Sequence, residues 1–157
     1  MNKEGILLSK ARNRLFIVWI IGSIVPTVII MIQTILGSKY EGIAQQVWGW
    51  FSPLIFPTIT LMIGVIGASA FNRDNDTDKT VDPTFFNITI GLSVFYFLAI
   101  DTVILAEPFS DKGNPLSSFT TSNLFLTPVQ ALTTAALGFL FTSVKKSPRE
   151  QQASDNT

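Results

Sequence analysis

Four stretches of this chain, at 15–36, 47–70, 85–105 and 124–144, are each almost wholly apolar. A helix needs about 20 such residues to cross the hydrocarbon core of a bilayer, and in lipid a single segment satisfies its own backbone only as a helix. The pattern predicts an all-α membrane protein with four transmembrane helices. The connections are short, so an antiparallel four-helix bundle of adjacent hairpins is expected. On this reading 1–14 is a cytoplasmic N-terminus, 15–144 the transmembrane domain, and 145–157 a polar, disordered cytoplasmic tail. In 157 residues no length remains for a soluble domain.

Composition agrees. Charged residues make up 14% of the chain, against roughly 25% in soluble domains, and almost all of them fall outside the apolar stretches. Lys3, Lys10, Arg12, Arg14, Arg73, Lys79, Lys145, Lys146 and Arg149 all flank one side of the predicted spans, nine residues against Lys39 and Lys112 on the other. The positive-inside rule then puts both termini and the second loop in the cytoplasm, at the inner (plasma) membrane. The first basic cluster resembles a signal-peptide start, but the following apolar run is too long, so it is read as a retained span. Ile6, Leu7 and Leu8 among these basic residues suit contact with the inner leaflet. Trp48, Trp50 and Phe51 sit where an aromatic belt is expected, and Asp82 followed by Pro83 is a good helix start.

Asp101 lies inside FYFLAIDTVIL, where a carboxylate costs about 2.5–3.5 kcal/mol at mid-bilayer. Its distance from the outer span end is about 6 Å. Gln33 lies at a similar depth in the first span, and Gln130 and Thr127 in the fourth. The expectation is one polar layer in the outer leaflet, with Asp101 accepting hydrogen bonds from Gln33, Gln130 or Thr127. Inward from Asp101, the same helix face reads Phe97, Val94 and Ile90. A proton relay across one protomer is therefore not expected, whereas a pore with an apolar gate, lined at its mouth by this layer, is compatible.

Small residues recur at helical spacing. One stripe is Thr127, Ala131, Ala135, Gly138 and Thr142. A second is Pro53, Pro57, Thr60, Gly64 and Gly67, and a shorter one is Gly22, Pro26 and Gln33. Such stripes let helices approach closely, so spans one, two and four are expected to meet along them. Pro26, Pro57 and Pro128 each remove a backbone hydrogen bond and are hinge candidates.

Without cysteine or histidine, the chain has no thiol nucleophile, no Cys/His zinc site and no histidine base. Asp74, Asp76 and Asp78 imitate a calcium loop, but Lys79 stands at its glycine and Phe85 at its glutamate, so no metal or other cofactor is expected. The 71–82 loop is better read as a solvated turn or a docking site for a cytoplasmic protein. Net charge is zero, which gives no sign of nucleic acid.

Two stretches, WGWFSPLIFPT at 48–58 and SNLFLTPVQALTTAALGFLF at 122–141, resemble a group of small bacterial four-helix inner-membrane proteins associated with conflict and defence gene neighbourhoods. The resemblance implies a partner-controlled membrane effector or sensor and transfers no site residues. The sequence thus leads to a non-enzymatic, multi-pass, homo-oligomeric protein, either a pore-type effector or the membrane subunit of a larger assembly. The alternative is a small-molecule transporter or a membrane sensor without a pore.

Overall fold

In the computed structural model the described residues are 5–71, 80–109 and 114–142. The 72–79 part of the loop, with its calcium-like aspartates, and the C-terminal tail lie outside them. The elements in chain order are β1 (Ile6–Leu7), α1 (Leu8–Ile35), a 3-10 turn (Ser38–Tyr40), α2 (Ala44–Phe71), β2 (Thr80–Val81), α3 (Pro83–Ala106), a second 3-10 turn (Glu107–Phe109) and α4 (Pro115–Thr142). Four helices are long and apolar enough to cross a membrane. A 28-residue helix spans about 42 Å, more than the roughly 30 Å hydrocarbon core.

Two helix starts share one chemistry. Asp82 Oδ1 accepts from the backbone N–H of Thr84 (2.7 Å) and Phe85 (3.2 Å), with Pro83 in the first turn. Asn114 Oδ1 accepts from Leu116 N–H at 3.0 Å, with Pro115 in the corresponding place. Each proline fills a position whose N–H would have no helical acceptor. The turn into α2 contains Gly42 at φ 79°, where a side chain would strain the backbone.

The helices outrun the apolar stretches. α1 begins at Leu8 rather than 15, because Leu8, Ala11, Arg12 and Leu15 form one buried face across the basic segment. α4 begins at Pro115 rather than 124, and its early turns bury Phe119, Ser122 and Leu126. Apolar run length reports what lipid must cover, whereas a helix continues wherever one face can be buried. Ile6 and Leu7 pair with Val81 and Thr80 in a two-residue antiparallel ladder, so this segment packs on the protein's own second loop.

α1 packs against α3 and α2, and α4 packs against the same two helices. Trp19, Phe51, Ile55, Met62, Tyr96 and Ile100 fill the interior and expose nothing. Outward-facing Ile17, Ile21, Ile24, Val28, Ile32 and Ile35 make a continuous apolar stripe on α1. Such a surface is stable only against lipid or another apolar partner.

Small-residue packing differs from the sequence expectation. At Gly22 an added Cβ would lie 2.5 Å from the Phe97 ring, so this glycine seats α3 rather than α2 or α4. At Gly64, Gly67 and Gly138 an added Cβ would meet nothing within 4 Å. Ala131 and Ala135 are exposed. The stripes on α2 and α4 therefore point away from the bundle, and large side chains, not small ones, hold these helices to their neighbours.

Candidate functional site

Polar side chains tie the helices together at separate points, and each tie follows from a local backbone need. Pro57 has no N–H to give to Pro53 O one turn earlier. Gln130 Nε2 of α4 donates to that carbonyl at 3.1 Å. The proline proposed as a hinge is thus a fastening point between α2 and α4. Pro26 is buried in α1, whereas Pro128 lies exposed on α4.

Deeper in the core, Trp19 Nε1 donates to Ser93 Oγ (3.1 Å), whose hydroxyl donates to Thr89 O (2.8 Å). Tyr96 donates its hydroxyl hydrogen to Leu54 O at 2.9 Å, joining α3 to α2. Phe97 lies edge-on to Trp19 with ring centroids 5.0 Å apart. A buried indole or phenol must have a partner, and both do.

One end of the bundle is organised by Arg12, which is 5% exposed. Its Nε donates to Leu140 O (3.0 Å) and one terminal nitrogen to Phe141 O (3.1 Å); the other reaches Ser69 Oγ at 3.5 Å. The guanidinium therefore caps the last turn of α4, where carbonyls lack helical donors and the helix dipole favours a cation.

At the other end, the Lys39 ammonium is ion-paired with Oε2 of Glu107, a carboxylate only 7% exposed. The contact lacks hydrogen-bond alignment and is a charge pair. Beside it, Tyr40 donates to Gln33 Oε1 at 2.8 Å and sets its ring edge-on to Phe119. Burial, and then the Glu107 charge, push the Tyr40 phenol up to about 12. Phe119 stacks on Trp50 (4.5 Å between centroids), whose Nε1 donates to Asn123 Oδ1 at 3.1 Å. Of the predicted belt, Trp50 therefore packs on α4 and Phe51 lies in the core.

The expected layer around Asp101 does not assemble within one protomer. Gln33 is engaged by Tyr40 and Gln130 by Pro53, while Thr127 faces outward. Asp101 is half-buried, and its Oδ1 has no hydrogen-bond partner among the described residues. Gln130 gives an amide hydrogen to the Pro53 carbonyl and Gln33 is held through its oxygen by Tyr40, and neither reaches Asp101 Oδ1.

In sequence Arg12 and Lys39 read as topology markers, and Glu107 only as one half of a carboxylate pair with Asp101 that the spacing does not support. The available signals were local: Arg12 falls on the buried face started by Leu8 and Ala11, and Glu107 directly follows a predicted span end. Among the described residues no group of three metal-ligating side chains forms. The chain matches no protein-family model, no curated protein and no solved structure.

Proposed function

We propose that this chain is a non-enzymatic bacterial inner-membrane protein that assembles with copies of itself into a pore-type, membrane-perturbing effector. The carrying observation is the outward placement of the small-residue faces on α2 and α4, because lipid gives helices no reason to expose such surfaces to one another except close packing. The interior of a single protomer is filled by aromatic and aliphatic side chains. Any conducting path therefore runs between copies, where Asp101 Oδ1 finds its partner. Helices alternate in direction, with both termini cytoplasmic. The asymmetry of basic residues supports this, as does the meeting of Arg12 near the start of α1 with Ser69 and Leu140 near the ends of α2 and α4. The loop beyond Phe71 is the docking site for a cytoplasmic partner that controls opening.

The test is a potential-sensitive dye in bacteria during induced expression, paired with oligomer size in nanodiscs. Wild type depolarises the cell and forms multimers. Gly64→Leu reduces both while the fold survives, and Asp101→Asn alters the depolarisation. A protein that remains monomeric in lipid sinks the proposal. A second reading, a membrane sensor or binding subunit without a pore, draws its support from the cleft beside Glu107.

A further inference from the structure

Between the end of α3 and the first turns of α4 lies a cleft of ≈ 250 Å³ whose walls include Val103, Ala106, Glu107, Thr121, Ser122 and Phe125. Thr121 gives its hydroxyl hydrogen to Ser117 O (2.8 Å) and Ser122 gives its own to Phe119 O (2.6 Å). A hydroxyl has one hydrogen, so both present only lone pairs to the cleft. Glu107 is an ionised acceptor, nine-tenths buried, and neither carboxylate oxygen accepts a hydrogen bond from a described residue. Ser118 adds a further hydroxyl, itself engaged in a contact, and the rest of this wall is aliphatic or aromatic. Thr121, Ser122 and Glu107 therefore offer acceptors and a negative charge, with no donor among the three, beside an apolar surface.

We propose that this cleft binds a small primary organic ammonium ion, its –NH₃⁺ on Glu107 and the hydroxyl oxygens, its alkyl chain against Val103, Ala106 and Phe125. Three donors on a compact cation match the acceptors, and a short alkyl chain matches the walls. A hydrated metal ion fits poorly, because its waters would face carbon. Lys39 is the built-in competitor. Its side chain is 28% exposed, so it can withdraw to solvent as a ligand enters. One ammonium then replaces another, and the buried carboxylate is never left uncompensated, which would be strongly unfavourable. This site stands apart from the pore reading and is tested separately.

The probe is n-butylammonium, titrated calorimetrically into the full chain in phosphatidylcholine nanodiscs, with n-butanol and butyrate as neutral and anionic controls. Saturable binding of butylammonium alone is expected. Glu107→Gln weakens it by about tenfold or more, the loss of one charge-assisted contact. Lys39→Gln keeps the carboxylate, removes the competitor and tightens binding several-fold. Equal binding of butanol, undiminished binding in Glu107→Gln, or no saturable binding in either wild type or Lys39→Gln overturns the proposal. If Glu107→Gln does not fold, Lys39→Gln decides alone: tighter binding supports the site, and unchanged or weaker binding refutes it.

Discussion

Gly22 and Gly64 are both helix glycines in apolar spans, yet alanine at the two positions is expected to act in opposite directions. A Cβ at Gly22 would sit 2.5, 2.7 and 2.8 Å from three carbons of the Phe97 ring. Relaxed carbon contacts lie at about 3.5–4.0 Å, so the ring must retreat by roughly 1 Å. It has little room, being 5% exposed and set edge-on to Trp19. Overpacking of this kind costs about 1–3 kcal/mol, and the helix propensity gained on replacing glycine returns at most about 1 kcal/mol. With three ring atoms under 3.0 Å the cost lies toward the upper end of that range, so the net loss for Gly22→Ala is about 1–2 kcal/mol. Gly64→Ala meets nothing within 4 Å and is neutral or slightly stabilising. Unfolding by dodecyl sulfate titration in mixed micelles, followed by tryptophan fluorescence at protein concentrations too low for association, measures both. Adding Phe97→Leu to Gly22→Ala relieves the clash, so the pair shows favourable coupling. Gly22→Ala as stable as wild type, or Gly64→Ala losing as much as Gly22→Ala, refutes the assignment of inward and outward glycines.

Two further outcomes follow from the bundle ends. Arg12→Met removes two charged donors from the Leu140 and Phe141 carbonyls and is expected to cost on the order of 3 kcal/mol. Arg12→Lys lies between, since one ammonium does not reproduce the fork, and amide exchange in the last turn of α4 reports both. Tyr40 ionises near 12 instead of near 10. Its folded pKa is raised, so the neutral phenol's contribution to stability is complete below about pH 10 and is lost as pH rises toward 12. The chain has two tyrosines, so phenolate absorbance in Tyr96→Phe isolates Tyr40; ionisation near 10 in the folded protein contradicts its burial beside Glu107.

The four helices were legible because lipid imposes one requirement, a long apolar run, that few other structures meet. The Asp82–Pro83 start was legible for a similar reason: capping is local and needs only neighbours in sequence. Contacts between helices were not. Gly22, Gly64 and Gly138 look alike in sequence, but only Gly22 faces a bulky neighbour. Whether a glycine points in or out depends on helix rotation, which a span with apolar residues on every side does not reveal. The glutamines failed as a layer on the same ground. Depth alone grouped them with Asp101, whereas Gln130 donates to the Pro53 carbonyl that Pro57 leaves without a helical donor. A proline in one span and a glutamine in another form a pair that becomes readable only once the order of helices is known.

This placement separates folding from assembly. Nearly every buried polar group of the described core is satisfied inside the protomer: Trp19 by Ser93, Tyr96 by Leu54 O, Arg12 by the end of α4. In the proposed assembly these internal ties stay as they are, whether or not a second copy is present. Apart from Glu107, which is charge-paired with Lys39, the groups left over are of a different kind, namely the small faces of α2 and α4 and one oxygen of Asp101. Substitutions in the first set must lower unfolding stability at any concentration, whereas substitutions in the second must act only where copies meet. Diluting the protein into excess lipid distinguishes them. The defect of Arg12→Met persists on dilution, and that of Gly64→Leu vanishes as wild type also becomes monomeric. A Gly64→Leu defect that survives dilution would place that face inside the fold and remove the basis for the assembly.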